Sequence, residues 1–283
     1  MRPLLPLLLL AACGQEPTEA LPEPEPFTVL TYNVHGLPDM ITAGDHTLPI
    51  GERMARIAPL LAPFDLVGLQ EDFDAAQHAT LVGEADHPVR HWFDARVAPE
   101  RAYGSGLAQL TRLGTEVDYE EVFYEACHGL VDAASDCLAS KGLQVLTLDL
   151  GGDARLTWLN THHEAGGGST DEEVREGQVD QVLALLAALP ENHAVVFTGD
   201  FNLSRRDPPD VVQLDRYVDA GLRNACDEVD CPEPERIDMV WVRDGTSMSL
   251  QVEDWAVQEQ LVDETGEALS DHEGIGVTLS WSR

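Results

Sequence analysis

Polar side chains stand where short apolar stretches of this 283-residue chain end or begin. Apolar runs of about four to eight residues indicate buried strands, and carboxylate, amide and imidazole groups at strand ends build polar pockets on rigid elements. Together these groups suit a hard divalent cation and an anionic substrate, which points to metal-assisted hydrolysis. The residues in these positions are Asn33, Glu71, His162, Asp200, Asn202, Asp238, Asp271 and His272.

The elements that must hold these residues alternate between strands and helices, an order that fits two mixed sheets covered by helices. The spacing of apolar residues predicts helices over 53–61, 75–82 and 170–189, the last with Ser169 or Thr170 as N-cap. Residues 103–142 and 203–235 show little periodicity and hold four cysteines, so we expect long loops there. The predicted strands are Phe27–Asn33, Leu66–Gln70, Ser105–Thr111, Leu143–Leu150, Arg155–Thr161, Val195–Thr198, Met239–Arg243, Ser249–Val257 and Gly274–Trp281.

The N-terminal segment is predicted to be a targeting signal. Residues 1–12 combine Arg2 with an apolar run far shorter than the roughly 20 residues that span a bilayer. Cys13 follows Leu-Ala-Ala, a pattern that resembles the lipobox of bacterial lipoproteins, whose cysteine is acylated; the alternative is an ordinary signal peptide and a chance cysteine. Residues 13–26 carry prolines among glutamates and predict an extended tether. We therefore expect one domain over 27–283, exported and lipid-anchored to the cell envelope (at the outer membrane if the organism has one) or secreted.

The four remaining cysteines, Cys127, Cys137, Cys226 and Cys231, are an even number, which in an exported protein suggests disulfides. Local pairs, Cys127 with Cys137 and Cys226 with Cys231, are the simplest of three connectivities. A metal site is a weak alternative, because neither pair has the CxxC spacing or a nearby pair of histidines.

The charge balance disfavours tight nucleic-acid binding. Lysine and arginine number 17 against 51 aspartates and glutamates, for a formal net charge of −34. Proteins that bind nucleic acid gain affinity when their cations release phosphate counterions. This chain has one lysine, Lys141, and its longest basic run is Arg205-Arg206. Much of the acidic excess fits a surface adapted for solubility or a salty medium.

Seven short motifs resemble those of the endonuclease/exonuclease/phosphatase superfamily, in the order that the superfamily has them. The resemblance implies a four-layer α/β/β/α sandwich, an α/β fold of two mixed sheets flanked by helices. It also implies a metal-dependent phosphoric ester hydrolase. The motifs are Thr31-Tyr32-Asn33-Val34, Leu69-Gln70-Glu71, Ser105-Gly106-Leu107, Asn160-Thr161-His162, Gly199-Asp200-Phe201-Asn202, Arg236-Ile237-Asp238 and Ser270-Asp271-His272.

The resemblance also implies a metal site. Glu71 is expected to be the main carboxylate ligand of Mg²⁺, with Asn33 beside it and Asp271 adding a contact; Mn²⁺ and Ca²⁺ are alternatives. A single carboxylate with an amide and waters is typical of Mg²⁺, which keeps much of its hydration.

The remaining motif residues are expected to act on the phosphodiester. His272 would be the general base for the attacking water, with Asp238 holding its other ring nitrogen. His162 and Asn202 would donate hydrogen bonds to phosphate oxygens. Asp200 would orient the water or His162.

Four further side chains have weaker claims to a role at the site. His163 follows His162 directly and should face the other side of its strand, in a structural role. Glu164 is either a surface acid or a group that supports the site. His35 is expected at most to support its neighbours, and His128 either lines the pocket or is an ordinary loop residue.

The leading hypothesis is an exported, lipid-anchored, monomeric Mg²⁺-dependent phosphodiesterase that resembles the neutral sphingomyelinase and phospholipase C branch. Its substrate would be a membrane phospholipid, since a choline-like headgroup needs acidic and aromatic side chains and no basic patch. An extracellular nuclease or a phosphatase of the same fold is the second hypothesis. A non-catalytic surface-binding protein is the third, and it conflicts with the intact set of motif residues.

Overall fold

Twelve strands and five helices form the part of the chain that the computed structural model describes, residues 25–39, 46–83, 85–130 and 136–283. The strands are β1 (Phe27–Asn33), β2 (Leu66–Gln70), β3 (Val89–Phe93), β4 (Leu107–Thr111), β5 (Thr115–Phe123), β6 (Gly142–Asp149), β7 (Arg155–His162), β8 (His193–Asp200), β9 (Arg223–Asn224), β10 (Asp238–Arg243), β11 (Ser249–Val257) and β12 (Ile275–Ser282). The helices are α1 (Ile50–Ile57), α2 (Ala75–Gly83), α3 (Ser169–Ala188), α4 (Pro208–Asp219) and α5 (Ala225–Glu228).

The strands form two six-stranded mixed sheets. The first has the order β11-β12-β1-β2-β4-β3 and the second β5-β6-β7-β8-β10-β9. Each contains one parallel pair, β1 with β2 and β7 with β8, among antiparallel neighbours. Because the carboxyl ends of each parallel pair lie at the same edge of its sheet, residues that follow those strands are brought together.

Apolar side chains explain how the four layers stack. Trp158, Val196 and Val277 belong to the core between the two sheets. Helix α1 places Met54 and Ile57 against the outer face of the first sheet. Helix α3 packs Val179, Val182 and Leu186 against the outer face of the second sheet. These residues lie on one face of the helix because they are three or four positions apart. The resulting α/β/β/α sandwich confirms the predicted fold class.

A buried polar seam joins the two sheets below the edge at which the predicted site residues lie. Gln70 Nε2 donates to Asn160 Oδ1 at 2.8 Å, and Thr198 Oγ1 donates to the same oxygen at 3.1 Å. Asn160 Nδ2 donates to the carbonyl of Leu69 at 3.1 Å. A Cβ atom at Gly68 would lie 2.5 Å from Thr198 Oγ1, so the sheets approach closely only because this residue is glycine. The seam fixes how one sheet is placed against the other.

The expectation of long loops over 103–142 and 203–235 was wrong in part. Strand β5 lies in the first segment, and helix α4 in the second. Strand β5 is at a sheet edge and is mostly exposed, so its sequence lacks the alternation of a half-buried strand. Strand β3, also at an edge, was not predicted. Helix α4 carries a start signal that was overlooked, since prolines occupy its first two positions.

The other elements differ from their predictions by a few residues at their ends. The first predicted helix begins at Ile50, ends at Ile57 and continues as a 3₁₀ turn, Ala58–Leu61. Helix α3 begins one residue early because Gly168 is its N-cap. Both predicted cysteine pairs are present as disulfides, Cys127–Cys137 and Cys226–Cys231.

The predicted signal peptide, Cys13 and the tether up to residue 24 lie outside the described residues, so the proposed anchor stays a prediction. Within the described ranges, no helix has the length and apolar character needed to cross a membrane.

Candidate active site

Strand pairing places the predicted residues in one row across the edge of the sandwich. In the second sheet, Asp200 lies opposite His162 on one side and opposite Asp238 on the other. In the first sheet, Asn33 lies opposite Gln70, the residue before Glu71. The two halves meet where Asn33 Nδ2 donates to Asp200 Oδ2 at 3.1 Å.

Asp200 is the centre of this arrangement. Its Oδ2 atom lies 3.5 Å from His162 Nε2 and 3.7 Å from His272 Nε2. Burial raises the pKa of Asp200 to about 6, and the Asp238 carboxylate adds to that shift. A buried carboxylate between two imidazoles can orient either ring or a water molecule beside it.

His272 and Asp238 form a pair of the kind that orients a catalytic imidazole. His272 Nδ1 lies 2.7 Å from Asp238 Oδ2, which leaves Nε2 facing Asp200. Burial disfavours the charged ring, but the hydrogen bond to Asp238 and the charges of Asp238, Asp200 and Asp271 together raise the pKa of His272 to about 10. Ser270 braces the loop, because its Oγ donates to the Asn33 carbonyl and accepts the His272 N–H.

Lys141 completes the other side of the centre, although the sequence analysis gave it no role. Its Nζ lies 3.2 Å from His162 Nε2, 2.8 Å from Asp136 Oδ1 and 2.7 Å from the His163 carbonyl. Burial and the Lys141 charge hold the pKa of His162 well below its usual value, so this ring is neutral. One signal could have revealed Lys141: it stands directly before an apolar run, as the other site residues do.

Glu71 has the surroundings of a cation ligand. Its Oε1 accepts a hydrogen bond from Asn33 Nδ2 at 2.9 Å, and its buried Oε2 has no protein partner. Burial raises the pKa of Glu71. A buried carboxylate with one free oxygen fits Mg²⁺, whose remaining positions are filled by water and substrate oxygens.

The other two predicted metal ligands have different surroundings. Asn33 uses its amide nitrogen for Glu71 and Asp200, and its Oδ1 accepts the His35 N–H at 3.0 Å. Asp271 points toward His35, with its Oδ1 3.5 Å from His35 Nδ1 and half of its side chain exposed. Among the described residues, one group of three has donor atoms within 4.8 Å of one another: Asp200, Asp238 and His272. These are a second arrangement that could hold a cation, although Asp238 already binds the His272 ring.

Three residues at the edge of the sandwich that carries the candidate site have an unusual backbone conformation. His35, Glu71 and Asn202 all have positive φ angles, of 48°, 58° and 48°, a region that non-glycine residues seldom occupy. A Cβ atom at Gly36 would lie 2.3 Å from the Glu71 carbonyl, so the chain can turn around Glu71 only with glycine there. These conformations aim side chains that a regular strand would direct elsewhere.

The remaining predicted residues lie around the centre. Asn202 is half-buried and donates to the His163 carbonyl at 3.2 Å. His163 faces away from the site, packed against Phe201 and Tyr217. Glu164 is buried rather than a surface acid: its Oε1 accepts the His128 N–H, and its Oε2 has no partner.

A pocket of about 280 Å³ opens beside this centre. The rings of Phe73 and Tyr103 stand 5.3 Å apart in its wall. Gly106, with φ of 68°, leaves room for Phe73, since a Cβ atom there would lie 2.4 Å from that ring. The site thus joins a polar centre to a largely apolar cavity. The lining residues are Leu37, Glu71, Phe73, Tyr103, Asp136, Leu138, Ala139, Lys141, His162 and Ala165.

Comparison with protein-family models matches residues 30–272 to the model described as the endonuclease/exonuclease/phosphatase family. The chain belongs to this family. Its members are generally phosphoric ester hydrolases. A search of curated protein sequences gives no match.

Solved structures agree with the family assignment. TDP2 from D. rerio, in complex with a single-strand DNA product, superposes with a TM-score of 0.68 at 17% identity, over 91% of this chain and 99% of that one. Sphingomyelinase C from Streptomyces griseocarneus gives 0.66 at 20% identity, over 90% and 99%. Beta toxin from Staphylococcus aureus with bound magnesium ions gives 0.66 at 14% identity, over 89% and 99%. At these identities the likeness shows a shared fold.

Proposed function

We propose that this family member is an exported, lipid-anchored, Mg²⁺-dependent phosphodiesterase that removes the headgroup of a membrane phospholipid. The observation that carries the proposal is the pocket beside the catalytic centre. It combines a single buried cation, Lys141, with the aromatic side chains Phe73 and Tyr103. One cation suits one phosphate, and aromatic faces suit a quaternary ammonium group.

The carboxylates of the centre favour a cationic headgroup over a polyanionic one. A substrate with several phosphates needs several lysines or arginines to offset its charge. Among the described residues that line this pocket, Lys141 is the one lysine or arginine, and Asp136 and Glu71 line it as well. A zwitterionic headgroup such as phosphocholine places its phosphate toward Lys141 and its ammonium toward the aromatic and acidic wall.

The residues of the centre have separate roles in an in-line attack by water on phosphorus. Glu71, with Asn33 beside it, would hold Mg²⁺, and Asp271 is proposed as a further contact. The bound ion would supply positive charge for the phosphoryl and leaving oxygens. His272 takes the proton of the attacking water through Nε2, while Asp238 fixes the ring by its hydrogen bond to Nδ1. Lys141 and Asn202 offset the negative charge that develops on the phosphoryl oxygens.

The export part of the proposal rests on the sequence and on the disulfides. Two disulfides suit an oxidising compartment, and the fold is shared with the sphingomyelinase C and beta toxin structures. Acylation of Cys13 would hold a monomer at a membrane surface, close to its substrate.

A nuclease is the second candidate, because the similar TDP2 structure holds a single-strand DNA product. The formal net charge of −34 opposes it. Nucleic acid is repelled by an acidic surface, and binding that depends on a few arginines weakens steeply as salt is raised.

The test is a parallel hydrolysis assay on the purified full chain. Sphingomyelin vesicles, phosphatidylcholine vesicles and plasmid DNA are each incubated with Mg²⁺ or with EDTA. We expect phosphocholine release that EDTA abolishes and excess Mg²⁺ restores. The Glu71→Gln variant should lose this activity, and the His91→Gln variant, changed at a half-buried ring outside the site, should keep it.

Two outcomes would contradict the proposal. Nicked DNA with intact lipid would show that the site geometry outweighs the net charge and that the protein is a nuclease. Failure to hydrolyse any of the three substrates, by a protein that unfolds cooperatively and binds Mg²⁺, would favour a phosphomonoesterase or a binding protein.

A further inference from the structure

One wall of the pocket beside the candidate active site is built by a segment that is bound to a disulfide. Cys137 is bonded to Cys127, ten positions earlier in the chain. The residue before Cys137 and three residues shortly after it line the pocket. The same segment fixes the aromatic part of the wall, since the Tyr103 N–H donates to the Leu138 carbonyl at 3.0 Å. The lining residues that this segment supplies are Asp136, Leu138, Ala139 and Lys141.

Asp136 joins Lys141 to the loop that follows His162. Its Oδ1 lies 2.8 Å from Lys141 Nζ, and its Oδ2 accepts the N–H of Ala165. The Lys141 side chain is only 3% exposed, and among the residues that the structure describes Asp136 is the one carboxylate that forms an ion pair with it. A charge that is removed from water is costly unless an opposite charge offsets it. Asp136 is therefore the group that stabilises the Lys141 charge inside the pocket.

An arginine ties the two halves of the disulfide together and so restrains Asp136, the neighbour of Cys137. Arg101 Nη1 donates to Cys127 Sγ at 2.9 Å and also to the carbonyl of Cys137. The backbone on both sides of the sulfur–sulfur bond is thus held by one guanidinium. The carboxylate of Asp136 is presented to Lys141 from a part of the chain that is cross-linked and hydrogen-bonded.

Both ends of the disulfide also contact the loop that follows His162. At one end, the His128 N–H donates to Glu164 Oε1 at 2.5 Å. At the other end, Asp136 accepts the N–H of Ala165. Glu164 and Ala165 are adjacent, so the disulfide joins two stretches of chain that contact the same short loop. The cross-link therefore fixes the position of Asp136 relative to the loop that begins beside the catalytic centre.

The second disulfide has different surroundings and offers an internal control. Cys226–Cys231 joins residues at helix α5, and the Cys231 N–H donates to the Cys226 carbonyl at 3.0 Å. Cys226 packs in the core between the two sheets. None of the described residues from 226 to 231 lines the pocket that contains Lys141. Loss of this cross-link removes a disulfide without touching the Asp136 segment.

We propose that Asp136 is a positioning residue for Lys141, and that the Cys127–Cys137 disulfide holds Asp136 in place for this role. Asp136 acts through Lys141. Without its carboxylate, the buried ammonium turns away or gives up its proton, and the positive charge beside His162 is lost. The inference deepens the proposed function and rests on it for the substrate, whose phosphate is the group that the Lys141 charge stabilises.

The first test is a double-mutant cycle between Asp136 and Lys141 on the full chain. Asp136→Asn should lower kcat/KM for phosphocholine release by about tenfold, and the same change made in Lys141→Met should have almost no further effect. Residues that act as a unit give such non-additive losses. Thermal unfolding confirms that each variant is folded at the assay temperature. Equal losses in the two backgrounds would overturn the positioning role.

The second test compares the two disulfides. The variant with Cys127→Ser and Cys137→Ser should lose activity severalfold, whereas the variant with Cys226→Ser and Cys231→Ser should keep the wild-type value. Both are assayed well below their Tm, because each loses a cross-link and with it some stability. If the first variant retains full activity, or if both lose activity equally, the disulfide does not hold Asp136 for this role.

The third test needs no substrate and separates this inference from the proposed function. The Lys141 charge is one cause of the low pKa of His162, and the other charges that lower it, those of His272 and His163, are unchanged by Asp136→Asn. Histidine NMR should therefore show a higher pKa of His162 in this variant. An unchanged pKa would overturn the inference. If the pKa rises but the wild type releases no phosphocholine, the positioning role stands and the proposed substrate is wrong.

Discussion

His162 and His272 flank one oxygen of Asp200, and their surroundings shift the pKa values of the two rings in opposite directions. The two Nε2 atoms lie 3.5 and 3.7 Å from Asp200 Oδ2. Burial and Lys141 hold the pKa of His162 well below its usual value. Burial also opposes a charge on His272, yet Asp238 and two further carboxylates raise the pKa of that ring to about 10. The two histidines therefore differ in protonation although both lie beside Asp200. Lys141 favours the neutral form of His162, and Asp238 favours the charged form of His272.

This difference separates the roles of the two rings. Groups whose surroundings push their pKa values apart are candidates for distinct acid and base functions. His162 stays neutral and can donate or accept a hydrogen bond without changing its charge. His272 must lose its proton before it can act as a base. A cation bound at Glu71 would lower the pKa of His272 and so favour this loss.

Removing the His272 ring should have the largest effect on activity. We expect His272→Ala to lower kcat by about 10²- to 10⁴-fold, the range typical of a lost general base. The measurement is phosphocholine release at saturating substrate, with the folded state checked by thermal unfolding. Hydrolysis at the wild-type rate would show that the assigned mechanism is wrong.

Replacing Lys141 should have the next largest effect. Lys141→Met removes the charge beside His162, and we expect kcat to fall by about 10- to 100-fold as phosphate stabilisation is lost. The pKa of His162 should rise toward its ordinary value, which histidine NMR can follow. Lys141→Arg keeps the charge and should recover part of the activity. If the pKa of His162 is unchanged in Lys141→Met, Lys141 is not a cause of the low pKa of His162.

Asp238→Asn should change the pH dependence of stability. The pKa of His272 is about 10 in the folded protein and about 6.5 in an unfolded chain. The folded state therefore binds more protons between these values, and the free energy of unfolding falls as pH rises from about 6.5 to about 10. Asp238→Asn should flatten this fall in thermal unfolding measured across that range. Parallel wild-type and variant curves would contradict the assignment.

The smallest effect is expected from Glu164, on the lysine side of the centre. Burial and the Asp136 charge raise the pKa of Glu164 to about 7. Its neutral form favours the fold, so this contribution is present at pH 4 and is lost as pH rises through 7. Glu164→Gln stays neutral, and we expect its Tm to exceed that of the wild type by a few degrees at pH 8. The two proteins should unfold at similar temperatures near pH 4; equal Tm values at both pH values would refute the prediction.

The sequence predicted strands wherever buried apolar residues form a clear pattern. Strand β2, all of whose residues are buried, and the edge strand β11, which buries Leu250, Val252 and Trp255, both have the predicted bounds. The edge strands β3 and β5 were missed because β3 has one buried residue and β5 has none. Helix α4 was missed although Leu214 and Tyr217 are buried one turn apart, because the preceding segment looked irregular.

The site residues were recognised from strand ends, but their contacts were not predictable from local pattern. Asn33 and Asp200 are 167 positions apart and hydrogen-bond only because the two sheets pack face to face. Lys141 was missed although it stands directly before an apolar run, because a lone lysine in such a position is most often a surface residue. Its importance arises from burial and from Asp136, neither of which the sequence displays.

Strand order also has a consequence for the timing of synthesis. Strand β12 lies between β1 and β11, so the first sheet lacks an interior strand until residues 275–282 have been made. Phe27 in β1 lies opposite Leu279 in β12, so β1 is unpaired on that side until β12 has been made. A nascent chain can therefore complete the second sheet early. The first sheet, and with it the edge that carries the candidate site residues, stays incomplete until β12 has been made.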